Sequence, residues 1–147
     1  MKVIFESANV AETEVIIKGE IGSPDVESLL EFIKSKNVSG TKKLLLFKED
    51  EQFLVDINEI AYIEVVGSKV EAVTLTDRYD TKKKLYELNE MLRTSSFVQI
   101  NKGTIVNIDF VKSVQAEFSG NYTLRLKNSK EILTISRKFF KDFKNKI

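Results

Sequence analysis

The residues with the clearest chemical potential interrupt a run of strand-forming side chains. The stretch FVQINKGTIVN, residues 97–107, consists mainly of aromatic and β-branched residues typical of a buried strand, except at its centre. There Asn101, Lys102 and Gly103 break the pattern. An amide donates and accepts hydrogen bonds and an ammonium group donates up to three, so these residues suit contact with a polyanion. Asn and Gly are also common in bulges and tight turns, and the residues alone favour that structural interpretation.

Cations stand at the starts of two predicted helices, where the helix dipole disfavours them. One group is Lys82-Lys83-Lys84, and the other is Arg137, which follows the predicted N-cap Ser136. Each group is either solvated or compensated by a bound polyanion. For the lysine run we favour solvation, because charge runs are usually solvated faces.

The composition excludes several kinds of chemistry. The chain has 147 residues with no cysteine and no histidine, which removes disulfides, thiol nucleophiles, and the commonest general base and transition-metal ligand. Asp and Glu are scattered, with no cluster at metal-loop spacing. We therefore predict no catalytic residue, no metal and no cofactor. An enzyme that works through Asp and Glu alone is the weakest hypothesis, behind a polyanion-binding protein and a protein-interaction module.

The charge distribution is uneven along a chain of net charge +1. Residues 1–41 hold four Lys or Arg against seven Asp or Glu, whereas residues 93–147 hold eleven against four. A basic C-terminal third is typical of a surface that binds a polyanion. A solvated basic face explains the charge alone equally well.

Hydropathy predicts a cytoplasmic protein. No apolar run approaches the roughly 18 residues that span a bilayer. The N-terminus, MKVIFESANV, has an acidic residue too early and too short an apolar stretch for a signal peptide.

The first 41 residues are predicted to form a β-β-α extension. Val3–Glu6 and Glu14–Lys18 are strand candidates, and a helix is predicted from Pro24 to about Lys36, with Ser23 as its N-cap. Val26, Leu29, Leu30 and Ile33 recur at helical spacing and form one apolar stripe. The polar stretch 37–43 then indicates a linker.

From residue 44 onward the apolar period changes from helical to alternating, which predicts short antiparallel strands. A helix is predicted over 84–93 and another from about residue 137. Gly67-Ser68, Ser119-Gly120-Asn121 and Asn128-Ser129 are predicted turns. The predicted strands are 44–48, 52–56, 60–66, 70–76, 79–82, 97–100, 105–107, 113–118, 122–127 and 131–135.

Residues 42–147 resemble the LytTR DNA-binding domain of LytR/AlgR-type bacterial transcription regulators. The order and spacing of the matching residues make the resemblance specific. They are Ile60-Ala-Tyr-Ile-Glu64, Leu85, Leu88, Phe97-Val-Gln-Ile-Asn-Lys-Gly-Thr-Ile-Val-Asn107 and Ile135-Ser136-Arg137.

The resemblance implies a mainly β fold with short helices (α+β), an elongated antiparallel LytTR-like domain over 42–147 following the extension over 1–41. It also implies that loops between strands contact double-stranded DNA, without a recognition helix. The residues expected to contact DNA are Lys69, Asn101, Lys102, Gly103, Arg137 and Lys138.

Each of these residues has an expected role. Lys102 can donate to guanine or to phosphate, Asn101 can contact adenine or the backbone, and Gly103 lets the backbone approach closely. Arg137 occupies the position of a DNA-contacting arginine of the family. Lys138 suits a phosphate contact or plain solvation, and Lys69 matches a third contact region in the loop after Gly67-Ser68. Asn107, which closes the stretch, is predicted to hold a turn by side-chain to backbone hydrogen bonds.

Two departures from the family pattern affect these expectations. Many members have Arg or Lys in place of Gln99, and often a histidine near Asn101, so the number of phosphate contacts and the base preference differ here. Larger members have a phosphoacceptor receiver domain, for which residues 1–41 are too short. Control by aspartyl phosphorylation is therefore not expected.

The main prediction is a sequence-specific DNA-binding transcription regulator, with two copies on DNA as an expected state. Short members of the family resemble regulators restrained by a small membrane protein, and the extension over 1–41 is a candidate surface for such a partner or for self-association. The simpler interpretation is that its apolar stripe packs within the same molecule. The competing hypothesis is a protein-interaction module whose sheet edges bind another chain, with an incidental basic face.

Overall fold

A computed structural model describes residues 1–9, 14–36 and 42–147. The chain divides into two compact units, Met1–Lys36 and Asn37–Ile147. None of the helices in the described residues is long and apolar enough to cross a membrane.

The described residues of the first unit contain the predicted helix, α1 (Pro24–Lys36). The Ser23 Oγ accepts a hydrogen bond from the backbone N of Val26 at 3.4 Å, and Asp25 and Glu27 lie in the first turn. The stripe residues Val26, Leu29, Leu30 and Ile33 are half-buried, whereas the described side chains between them are exposed. The pattern of one buried face was therefore predicted correctly.

The two strands predicted in the first unit were wrong. Val3–Glu6 and Glu14–Lys18 lie in described segments without strand structure. Most of their apolar side chains are exposed, including Phe5 (94%) and Ile16 (75%), although Ile17 is half-buried. Strand-forming residue types do not form a stable pair unless further strands or a helix cover one side of it.

The second unit is mostly antiparallel β-sheet. The predicted strands are present, with ends that shift by up to two residues. A short 3-10 turn, Arg137–Phe139, precedes the last helix. The elements are β1 (Lys43–Lys48), β2 (Glu51–Asp56), β3 (Ile60–Val66), β4 (Lys69–Thr74), β5 (Arg78–Thr81), α2 (Leu85–Met91), β6 (Phe97–Asn101), β7 (Thr104–Asn107), β8 (Val111–Ala116), β9 (Tyr122–Leu126), β10 (Ile132–Ile135) and α3 (Phe140–Lys146).

These strands form two sheets. The larger has seven strands in the order β2-β1-β5-β4-β3-β7-β6, and the smaller has three in the order β10-β9-β8. Every pairing is antiparallel; for example, Val98 of β6 faces Val106 of β7. β2 and β6 are therefore the two edges of the larger sheet.

The centre of the larger sheet is buried on both faces. Successive side chains of a strand point to opposite faces, so Ile63 and Ile105 join one core with α2, while Tyr62 and Val106 join the other with the smaller sheet and α3. This explains why IAYI and TIVN are continuously buried and do not alternate. A sheet fixed on both sides is a rigid support for the turns at its ends.

Candidate nucleic-acid interface

The interruption at residues 101–103 is a tight hairpin turn between β6 and β7. The Asn101 Oδ1 accepts a hydrogen bond from the backbone N of Gly103 at 2.9 Å, and its Nδ2 donates to the Thr134 carbonyl at 2.8 Å. The Gln99 Nε2 donates to the carbonyls of Asn101 (3.0 Å) and Lys102 (3.4 Å). Two amides thus hold the turn while the Lys102 side chain remains exposed.

Gly103 does not adopt the left-handed backbone conformation that would require glycine. A Cβ placed on it would lie 3.7 Å from the Cβ of Val65, an ordinary van der Waals distance. Its carbonyl accepts a hydrogen bond from the Val65 N at 2.8 Å. The fold therefore tolerates a small side chain here, and steric demand within the protein does not explain the glycine.

Asn107 has the structural role predicted for it. It is fully buried; its Nδ2 donates to the Ile60 carbonyl at 3.0 Å, and its Oδ1 accepts from the Asp109 N at 3.1 Å and the Ser96 Oγ at 2.8 Å. The amide caps a second short 3-10 turn, Ile108–Phe110, and ties it to β3.

Arg137 follows β10, and its backbone is fixed by a residue that the sequence did not indicate. The predicted cap, Ser136, makes no side-chain capping hydrogen bond. The Arg137 N donates to the Asn121 Oδ1 at 3.1 Å. The Arg137 side chain lies over Gly120, where a Cβ would be 3.3 Å from its Cδ and Nη1. The side chain is exposed and forms no salt bridge within the described residues.

The turns that carry Lys102 and Arg137 lie side by side. The Ser136 N donates to the Ile100 carbonyl at 2.8 Å, next to the bond between Asn101 and Thr134. These bonds join the end of β6 to the end of β10. Lys138 follows Arg137 and is exposed, with its Nζ 5.9 Å from the ring centre of Phe139.

Lys69 lies at the same end of the larger sheet, although it is the first residue of β4 and not a loop residue as predicted. It pairs with Val66 of β3, and the turn at Gly67 between them lies close to Val65, which bonds Gly103. The Lys69 Nζ is 3.8 Å from a carboxylate oxygen of Asp80.

The lysine run also belongs to this end of the sheet, which the sequence did not reveal. Thr81, the last residue of β5, pairs with Val70, so the residues after it lie beside Lys69. A cleft of about 210 Å³ is lined by Ser68, Lys69, Val70, Asp80, Thr81, Lys82, Lys83 and Lys84. The run itself was visible in the sequence, but its position depends on the β4–β5 pairing.

The cations from these four segments form one surface, which we call the basic end. Among the described salt bridges, the one that involves these cations joins Lys69 to Asp80. The basic end comprises Lys69, Lys82, Lys83, Lys84, Lys102, Arg137 and Lys138.

A charged cluster on the face of the larger sheet contains a cation, Arg78, that is paired with acidic side chains. Arg78 Nη1 lies 2.9 Å from a Glu64 carboxylate oxygen and 3.2 Å from a Glu71 oxygen, and Nη2 donates to the Tyr62 hydroxyl at 3.0 Å. The hydrogen bond to Glu64 raises the pKa of Arg78 above its ordinary value. Burial raises the pKa of the Tyr62 hydroxyl, against an opposing effect of Arg78. No group of three or more acidic residues that could hold a metal ion is found in the described part of the chain.

Comparison with known proteins assigns a family to this fold. A family model described as the LytTr DNA-binding domain matches residues 50–147. The LytTr DNA-binding domain from Bacillus cereus superposes with a TM-score of 0.67 at 20% sequence identity, covering 73% of this chain and 97% of that domain, which shows a shared fold.

Curated relatives are similar over most of this chain. An HTH-type transcriptional regulator of Staphylococcus aureus strain MRSA252 is 25% identical over 144 residues, which are 98% of this chain and 95% of that protein. The sensory transduction protein LytT of Bacillus anthracis is 28% identical over 133 residues, which are 90% of this chain but only 49% of LytT. The chain thus spans about half the length of LytT and nearly all of the staphylococcal regulator.

Proposed function

The chain belongs to the family of LytTr DNA-binding domains, which makes it a DNA-binding transcriptional regulator, and we propose that it contacts duplex DNA with the basic end. The observation that carries the proposal is the convergence of cations from four separate segments at one end of the two sheets. Cations without acidic partners are stabilised by the phosphates of a duplex. A cytoplasmic location follows as part of this proposal, because the DNA lies there.

Contacts to bases are assigned to Arg137 and Asn101. The Arg137 guanidinium has no salt bridge in the described residues, and a bidentate contact to guanine uses such a free fork. Asn101 uses one N–H and one lone pair to hold its turn. One N–H and one lone pair remain, which are the groups that a bidentate contact with adenine requires.

Contacts to phosphates are assigned to the lysines. Lys102 projects from the β6–β7 turn, and Lys69 and the Lys82–Lys84 run line the cleft beside it. Lys138, one residue after Arg137, is placed in the same class. Gly103 is assigned to close approach of the DNA to the backbone of the turn, because glycine has no side chain.

Two copies on DNA complete the proposal, with the first unit as the surface for self-association or for a small membrane protein that restrains the regulator. The exposed apolar side chains of that unit support this role, because apolar groups are stabilised by removal from water. They include Val3, Phe5, Ile16 and Ile21. Sedimentation velocity with and without DNA measures the self-association directly.

A salt titration tests the proposed interface. Binding of the full chain to mixed-sequence duplex DNA is expected to weaken with a log–log slope of about −0.9 for each phosphate contact. Replacing Lys82, Lys83 and Lys84 with glutamine should make the slope shallower by about 0.9 for each lysine that contacts a phosphate.

The matched control replaces Lys112, Lys127 and Lys130, at the opposite end of the three-stranded sheet, and changes the net charge equally. Its slope should equal that of the unchanged protein. Equal effects of both triple variants would reduce the basic end to a general charge effect, and no binding at low salt would favour the protein-interaction module.

A further inference from the structure

The β8–β9 turn, residues 117–121, has features that the proposed function does not use. Phe118, at its tip, is fully exposed. An aromatic ring that is exposed to water is stabilised when a partner covers it. A single exposed ring has many explanations, so its position in the molecule decides what covers it.

The turn is rigid. The Gly120 N donates to the Glu117 carbonyl at 3.1 Å, the Glu117 N donates to the Asn121 carbonyl at 3.0 Å, and the Asn121 N donates to the Ser119 Oγ at 3.3 Å. The Thr123 hydroxyl donates to the Glu117 carboxylate, which occupies the one acidic group of the turn. Phe118 is therefore presented by a fixed backbone.

The same turn supports Arg137. The Asn121 Oδ1 accepts a hydrogen bond from the Arg137 backbone N at 3.1 Å. The Arg137 side chain packs over Gly120, which has a φ of 89° and no side chain in the way. Any side chain at residue 120 would meet Arg137 atoms at 3.3 Å. Phe118 lies two residues before Gly120 in the same turn, so its ring is close in the chain to the residue over which the Arg137 side chain lies.

We propose that the β8–β9 turn is a further part of the DNA interface, in which Asn121 positions Arg137 and Phe118 makes an apolar contact with the DNA. The inference rests on the proposed function, because DNA is chosen as the partner through the contact between this turn and Arg137. Apolar side chains such as phenylalanine contact base edges in the grooves or insert between base steps. The contact adds affinity without adding charge.

The test uses the full chain and a duplex that the protein has selected from a randomised pool. Phe118→Ala should weaken binding about tenfold, as expected for a buried aromatic contact at an interface, while the melting temperature and the salt slope stay unchanged. Phe118→Tyr should restore binding, because it keeps the ring. Leu54→Ala is the control. Leu54 is an apolar residue that is 71% exposed, and it lies on β2, at the edge of the larger sheet opposite β6.

Positioning by Asn121 is tested by a double-mutant cycle with Arg137. Asn121→Ala should relax the base preference at the position that Arg137→Ala also relaxes, and the two losses should not add, because both act through the same side chain. Additive losses would assign Asn121 to general turn stability and overturn the positioning role.

The outcomes separate the two proposals. If Arg137→Ala weakens binding and Phe118→Ala does not, the proposed interface holds and the contact from the turn is wrong. If neither variant weakens binding, the proposed interface itself fails. If Phe118→Ala abolishes self-association in sedimentation without DNA and leaves the DNA affinity of the monomer intact, the ring belongs to a protein contact.

Discussion

Two arginines in the second unit have opposite side-chain environments. Arg78, on the face of the larger sheet, is held by Glu64, Glu71 and Tyr62. Arg137, at the basic end, has its backbone fixed by Asn121, yet its guanidinium has no acidic partner within the described residues.

We interpret this difference as one between a cation that stabilises the fold and a cation that is available for the proposed DNA contact. The carboxylates around Arg78 are largely covered, with side-chain exposures of 25% for Glu64 and 20% for Glu71, so they need the cation. A guanidinium already paired in this way gains little from a phosphate or a base. Arg137 is fixed at its backbone and unpaired at its tip, which is the arrangement that a binding residue requires.

The largest expected effect is the loss of DNA affinity on Arg137→Ala. If Arg137 contacts a guanine, affinity for the selected duplex should fall by about 1–3 kcal/mol and preference at one base pair should relax. Thermal melts should show an unchanged midpoint. Arg125→Ala, another exposed arginine on β9, is the control. Equal losses on selected and random duplexes would instead make Arg137 a phosphate contact.

The next effect is on stability and belongs to Arg78. Arg78→Ala removes the donor from two carboxylates and a hydroxyl, and should lower the free energy of unfolding by about 1–2 kcal/mol. The loss is smaller than for a fully buried network, because Arg78 is partly exposed to solvent. Denaturant titration measures this loss. The folded variant should bind DNA normally.

Arg93→Ala serves as the control for Arg78, because its ion pair with Glu90, at 3.6 Å, is exposed on both sides. Its effect on stability should lie within about 0.5 kcal/mol. If the Arg78→Ala variant is folded and yet binds DNA more weakly than the unchanged protein, the distinction between the two arginines is wrong.

A smaller effect is expected at the β6–β7 turn. Lys102→Ala should make the salt slope shallower by about 0.9 and change the free energy of unfolding by less than about 0.5 kcal/mol, since the side chain is exposed and amides hold the turn. Lys112→Ala on β8 is the control. Normal binding together with a clearly lower melting midpoint would make residue 102 a structural part of the turn.

The smallest effect concerns the surface ion pair between Lys48 and Asp77, since Lys48, unlike Lys102, has an acidic partner. The hydrogen bonds from Lys48 at 2.7 Å and from Thr76 at 3.0 Å lower the pKa of the Asp77 carboxyl. The folded pKa lies below the unfolded value of about 3.9, so the stabilisation is present above that pH and is lost as pH falls through the folded pKa. The difference in melting midpoint between the unchanged protein and Asp77→Asn should therefore be small at neutral pH and vanish in acid. A difference that persists in acid would assign the effect to packing.

The sequence predicted the elements best where their pattern is local. Alternation from residue 44 onward located the strands of the second unit, and helical spacing located α1, because both periods arise from backbone geometry within one element. The same rules failed for Val3–Glu6 and Glu14–Lys18, since apolar alternation predicts a strand only when a covering layer exists.

The candidate site was only partly predictable, and the residues show why. Lys102 and Arg137 were singled out through the resemblance to a family. Gly120 and Asn121 were recognised only as a turn, and Phe118 only as the end of the strand predicted over 113–118. Ser136 has the right side chain for a cap, yet the Arg137 N–H donates to the side chain of Asn121, sixteen residues before Arg137 in the chain. No local pattern reports such a contact.

The sequence by itself determined α1, the types of the elements in the second unit, the turns between them and the surplus of positive charge in the last third of the chain. Only the tertiary structure decided that Lys69 and the Lys82–Lys84 run share one end of the sheet with Lys102 and Arg137, and that Arg78 is neutralised elsewhere. The physical reason is range. Backbone periodicity acts over a few residues, whereas strand pairing joins residues far apart in the chain, and the position of each cation relative to the others depends on that pairing.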